Sequence, residues 1–163
     1  MKNRKFWQIF TLSLAAIAVI AGGVLFVGAA SGWFDNSEPV KVTLSSEYQN
    51  SAAPTMLTVD TDEFNALIDE QKSFLGITYL PGCTANILTY LKDYATARQL
   101  NYIYYPWSLL RDTWLHDSIK YTPSVFIISN GKLVAFLAAD SDADTEKYNS
   151  SEAFAAWLDQ YLK

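Results

Sequence analysis

The sequence predicts an α/β domain, a mixed central sheet with helices on both faces, preceded by one N-terminal transmembrane helix. Three observations lead there. An uncharged apolar run lies near the N-terminus, short β-rich segments alternate with longer helix-periodic ones from Met56 onward, and Asn130-Gly131 separates two β-rich runs near the C-terminus.

The 29 residues from Phe6 to Phe34 carry no charge and contain the run from Leu12 to Ala30. About 20 apolar residues in a helix cross a bilayer core, so the segment is long enough to span. Lys2, Arg4 and Lys5 precede it, and the first charge after it is Asp35. Positive residues stay on the cytoplasmic side, which puts a tip at 1–5 inside, the anchor at 6–34 and the remainder in an extracytoplasmic location. Trp7 and Trp33 stand near the two ends, where indoles favour the interface. The competing reading is a cleaved signal peptide, with Gly28-Ala29-Ala30 as the cleavage site. A secretory apolar region is usually about 7–15 residues, and this one is longer.

A chain of 163 residues holds one ordinary domain plus such an appendage. Nine basic and all seventeen acidic residues lie beyond the span, a net charge of −8. That balance disfavours nucleic acid and anionic lipid as partners of the outer part. Cys83 is the only cysteine, so no intramolecular disulfide forms and the fold rests on its apolar core.

Residues 35–55 read as a linker, rich in Ser, Asn, Ala and Pro and without a sustained period, although 40–44 could form a short strand. Regular patterning runs over 56–163. Met56 to Val59 suits a strand. Asp60 stands three residues before Glu63, the spacing of a capping box, and Phe64, Leu67 and Ile68 follow at helical spacing, predicting a helix over 61–72. Ser73 to Leu80 is a nearly continuous apolar run stopped by Pro81-Gly82, the pattern of a strand buried on both faces. A helix follows from Cys83 to about Gln99, with Ile87, Leu88, Leu91 and Tyr94 as its buried stripe. Asn101 to Tyr105 reads as a strand. Residues 108–118 read as a short helix with Leu109, Leu110, Trp114 and Leu115 on one face. Ser124 to Ser129 and Lys132 to Ala138 are strands joined by Asn130-Gly131, a two-residue hairpin turn needing positive φ. Phe154, Trp157, Leu158, Tyr161 and Leu162 then mark a closing helix. The order β-α-β-α-β-α-β-β-α implies parallel pairing in the first half and an antiparallel hairpin in the second.

Cys83 is the candidate nucleophile, because it lies where a central strand ends and a helix begins. Unpaired N–H groups and a partial positive charge at a helix start favour a thiolate, the reactive form. The plainer reading is a small, buried apolar residue, as many free cysteines are.

The segment FLGITYL-PGC-TAN resembles the active-site region of the thioredoxin superfamily, in which a strand leads to a C-x-x-C motif opening a helix. Forty residues later, Tyr121-Thr122-Pro123-Ser124-Val125-Phe126 is similar to the family's cis-proline segment, and SNGKLV to its hairpin. The resemblance covers 56–163. It implies a thioredoxin-like fold, a cis Pro123 and a peptide-binding site at Thr122, Pro123, Gly82 and Asn86; apart from the resemblance, a trans Pro123 is simply the first residue of a strand, where a missing N–H does little harm. The anchor-plus-domain layout resembles membrane-anchored thioredoxin-like proteins of Gram-positive bacteria, some described as bacteriocin-transport accessory proteins. The departures bear on mechanism. The family's second cysteine falls at Asn86, its buried acid at Ile77, and its aromatic before the first cysteine at Gly82.

Without a resolving thiol the chain cannot release a mixed disulfide by itself. Two functions follow: a module that binds a peptide or protein partner near Cys83 and Pro123, or a monothiol exchange protein acting through Cys83 on exported proteins. Asn86 is placed to donate a hydrogen bond to a thiolate, or is simply solvated. Asp140, Asp142, Asp144 and Glu146 alternate as in a calcium loop, but the sixth position is Thr145 and the twelfth Ser151, so a solvated acidic loop is the better account. His116 is the sole histidine and lacks a second ligand, so no metal is expected. No P-loop, dinucleotide or G-x-S-x-G fingerprint occurs, and no cofactor is expected.

Overall fold

A computed structural model describes residues 41–137 and 139–163. The anchor expected over 6–34 lies outside the described residues. Among those described, no helix is long and apolar enough to cross a membrane.

Five strands form one mixed sheet: β1 (Met56–Thr58), β2 (Phe74–Thr78), β3 (Tyr102–Tyr104), β4 (Ser124–Ser129) and β5 (Lys132–Phe136), in the order β1-β3-β2-β4-β5. β3 runs parallel to both β1 and β2, β4 is antiparallel to β2, and β5 to β4. Strand β2 is buried along its whole length, as its apolar run requires. Its side chains alternate between faces. On one face Phe74 meets Phe64 of α1 (Thr61–Asp69), the rings 5.9 Å apart and nearly perpendicular. On the other, Ile77 shares a cavity wall with Leu88 and Leu91 of α2 (Asn86–Arg98). Helices therefore cover both faces. Two short helical pieces, α3 (Trp107–Leu110) and a 3-10 turn (Trp114–Asp117), connect β3 to β4. The chain closes with α4 (Thr145–Asn149) and α5 (Ser151–Tyr161).

Local signals hold where they rest on backbone chemistry. Asp60 accepts from Glu63 N–H at 2.9 Å while Glu63 accepts from Asp60 N–H at 3.0 Å, the reciprocal capping box. Asn130 and Gly131 have φ of 49° and 72°, as a two-residue hairpin turn demands.

Three expectations need correction. The stretch 41–55 is not a free linker: Val42, Leu44 and Tyr48 are buried in the core, and Tyr48 packs on Phe74. Val42 forms a parallel bridge with Leu162, and Ser45 N–H donates to the Ser73 carbonyl at 2.8 Å. Val42 and Leu44 alternate as in a strand, but the run is too short and too isolated in a polar stretch to reveal its burial. The helix after the central strand starts at Asn86 rather than Cys83. The predicted helix over 108–118 is two pieces, parted where Thr113 Oγ1 donates to the Leu110 carbonyl at 2.7 Å, and this turns Trp114 outward.

Candidate functional site

The last residues of β2 and the first of β4 define one end of the sheet. Thr78 pairs in register with Ser124. Beyond Thr78 the chain turns at once: Cys83 N–H donates to the Leu80 carbonyl at 3.1 Å, with Pro81 and Gly82 between them. Proline then glycine at φ +81° is the signature of a type II turn. A side chain at Gly82 would meet open space, so the backbone angle alone calls for glycine there. Cys83 follows as a free, half-buried thiol. It stands three residues before Asn86, the first residue of α2, with Ala85 extended as the cap. The thiol is therefore not on the helix's first turn. Asn86, which is exposed, is.

The facing segment enters β4 through Tyr121, Thr122 and Pro123, and the Thr122–Pro123 peptide is cis. Three side-chain bonds fix it. Thr122 Oγ1 donates to the Thr78 carbonyl at 3.1 Å, Ser124 Oγ to the Tyr121 carbonyl at 2.8 Å, and the Tyr148 hydroxyl to the Pro123 carbonyl at 2.7 Å. Burial holds the Tyr148 phenol well above its ordinary pKa, and the nearby Asp144 and Asp140 add to that. It therefore stays a donor. The Thr122 N–H and carbonyl, by contrast, have no hydrogen-bond partner among the described residues. The fully buried Thr78 hydroxyl is also unpaired among them.

The rim of this end is apolar. Leu80, Trp114 and Tyr121 are 50%, 44% and 53% exposed. Trp107 joins them: its N–H lies 3.4 Å from the Tyr79 carbonyl, and its ring is 5.6 Å from His116. Sequence reasoning singled out Gly82, Cys83, Asn86, Thr122 and Pro123, and all belong to segments at this end. It missed Thr78, Leu80, Tyr121 and Tyr148. Tyr121 borders a named motif and was within reach, whereas Tyr148 lies 25 residues from its partner and gives no local signal. Among the described residues no cluster of three His, Cys, Asp or Glu side chains converges to hold a metal ion.

No family model and no curated protein matches the chain. Solved structures do. A point-mutant thioredoxin from Halobacterium salinarum NRC-1 superposes with a TM-score of 0.50 at 13% identity, covering 70% of this chain and 97% of that one. The J-Trx1 fragment of ERdj5 gives 0.45 at 21% identity, over 64% of this chain and only 50% of the fragment. Thioredoxin NaTrxh from Nicotiana alata gives 0.43 at 13%, over 60% and 93%. At such identities the first of these likenesses establishes the architecture alone: the chain has the thioredoxin fold.

Proposed function

We propose that this thioredoxin-fold module holds an extended segment of a partner peptide or protein at the sheet end between the Cys83 turn and Tyr121–Pro123. The anchor expected over 6–34 would display it outside the cytoplasm, a layout resembling anchored thioredoxin-like proteins of Gram-positive bacteria. The observation that carries this reading is the Thr122 backbone. Its N–H and carbonyl are unpaired among the described residues, while its own hydroxyl and the next carbonyl are tied down. A fixed backbone with a free donor and acceptor is what an extended chain pairs with when it adds beside a strand. Leu80 and Tyr121, exposed in the segments at this end, offer apolar contact.

Full turnover as a dithiol oxidoreductase is disfavoured by Asn86 and by the buried, apolar Ile77. A thioredoxin-type exchange needs a second thiol to release the mixed disulfide.

The test is amide hydrogen exchange on the full-length chain in neutral detergent, with dodecapeptides selected from a random library. The free Thr122 amide should exchange rapidly and gain protection when a selected peptide binds, with Cys83→Ser behaving as the native chain does. Protection confined to other segments would remove the site from the reading. Surface proteolysis of intact cells tests the topology: the domain should be cut from outside, and resistance until lysis would overturn the display.

The half-buried free thiol supports one second reading. The Cys83 thiolate attacks a partner's disulfide, forms a mixed disulfide and expels one partner thiolate. A low-molecular-weight thiol then attacks that mixed disulfide, returning Cys83 as thiolate and leaving the partner's sulfur bound to the small thiol. This reading requires the Cys83→Ser variant to lose its partner, and a Cys83-linked adduct to form with a disulfide-bearing peptide.

A further inference from the structure

The charge of the domain is concentrated at one end. Strands β1, β2 and β3 are parallel and β4 runs against them, so four connecting segments gather at the end that bears Cys83 and Thr122: 59–63, 79–86, 105–123 and 139–150. Cross-links confirm the gathering. Tyr105 bonds to Thr61 through their hydroxyls, Trp107 N–H lies on the Tyr79 carbonyl, and Tyr148 reaches Pro123. These segments hold Asp60, Asp62 and Glu63, then Asp112 and Asp117, then Asp140, Asp142, Asp144 and Glu146. Against these nine carboxylates stand only Arg111, Lys120 and Lys147. Lys147 and Asp144 pair at 2.6 Å and cancel each other, leaving eight carboxylates against two cations. Elsewhere in 41–163 the charges balance, six acidic against six basic. The whole net charge of this part of the chain thus lies in the segments that share the sheet end with Thr122.

Two features of the same end narrow what this field attracts. Leu80, Trp114 and Tyr121 are exposed there, which favours a ligand with apolar side chains, and the two aromatic rings also accept Lys or Arg over their faces. The free N–H and carbonyl of Thr122 favour a peptide backbone. Nucleic acid and anionic lipid meet the wrong sign of potential. We propose that the segment received here is cationic: an extended stretch of a partner polypeptide in which Lys or Arg side chains are interspersed with apolar ones. This rests on the reading of Thr122 as a peptide-pairing edge.

The experiment uses the full-length chain in neutral detergent and three blocked dodecapeptides in which Leu and one Tyr alternate with Lys, with Ser or with Glu. Anisotropy titrations against empty micelles as blank are run in parallel with exchange at Thr122. The Lys peptide is expected to bind about tenfold more tightly than the Ser peptide at about 25 mM salt, with the gap narrowing at about 150 mM as screening sets in. The Glu peptide should not bind. Neutralising Asp112→Asn, Asp117→Asn and Asp142→Asn together should close most of that gap. Asp69→Asn, Glu70→Gln and Asp93→Asn, placed away from this end, should leave it. Equal binding of all three peptides with Thr122 protected would refute the charge preference and leave the pairing edge standing. Equal weakening by both sets of substitutions would refute its placement. No protection of Thr122 by any peptide would overturn the pairing edge, and the charge inference with it. The salt dependence of the unsubstituted chain decides the matter even if a triple variant fails to fold.

Discussion

Replacing Leu44 with Ala tests whether the residues before β1 belong to the fold. Leu44 is 6% exposed and lies in the core with Val42 and Tyr48. Burying a leucine and then deleting it to alanine costs about 2–5 kcal/mol, the larger values arising where a sealed cavity is left. Here a cavity of about 220 Å³ already borders Leu44, shared with Tyr94, Leu100 and Leu162. It is open enough for water to enter, so the lower part of that range applies, about 2–3 kcal/mol. With a urea m-value of about 2 kcal/mol/M, the middle of the range for small domains, the midpoint should fall by roughly 1–1.5 M. Urea unfolding of the full chain in neutral detergent, followed by tryptophan fluorescence, reads this directly. Lys41→Ala, exposed on the same stretch, should stay within about 0.5 kcal/mol of the parent. A Leu44→Ala loss no larger than that of Lys41→Ala, at unchanged m, would show that the stretch is a passive tether.

Gly76 faces Phe126 across the β2–β4 pair, and a β-carbon there would clash with the edge of the Phe126 ring. Gly76→Ala should therefore cost about 1–3 kcal/mol by overpacking. Phe126→Leu in the same chain should recover part of that loss, and strict additivity in a double-mutant cycle would contradict the contact. Burial holds the Tyr94 and Tyr148 phenols above their ordinary range, and for Tyr94 the bond to Asp159 at 2.8 Å adds to the effect. A raised folded-state pKa means stability is fully present below the free phenol value near about 10 and is lost as pH rises from there through the folded value. Stability should thus fall steeply above about pH 10. Tyr148→Phe should make that fall shallower while costing about 1 kcal/mol at neutral pH through the lost bond to Pro123. An unchanged alkaline slope would show that Tyr148 does not couple to folding.

Much of the fold was legible because it follows from short-range rules. The β2 run reads as buried on both faces, the Asp60–Glu63 spacing is a cap, and Asn130-Gly131 is a turn, each fixed by residues within a few positions of one another. The thioredoxin-like order was legible for the same reason: it is a succession of such units. The errors have a different origin. Val42, Leu44 and Tyr48 are core residues only because α5 and the start of β2 at Phe74 provide surfaces more than twenty residues away. The start of α2 at Asn86 reflects the Pro81-Gly82 turn, which the chain completes before helical angles begin. Trp114 looked buried on a continuous helix and is exposed because the helix is broken. At the site, Cys83, Thr122 and Pro123 could be named from motif order. That Thr122 leaves a donor and an acceptor open, and that segments carrying nine carboxylates share its end of the sheet, depends on which ends of strands lie together.

The bridge between Val42 and Leu162 has a practical consequence. Ser45 is tied to Ser73, at the start of β2, and Ser51 to Gln99, just past α2. The chain thus enters the domain at the pole where β2 begins, and its final residue is pinned beside that entrance through Lys163 N–H on the Val42 carbonyl at 3.1 Å. The thiol and Thr122 occupy the opposite pole. A stalk, resin or fusion joined ahead of Lys41 or after Lys163 would thus meet the domain at the pole away from the receptive one.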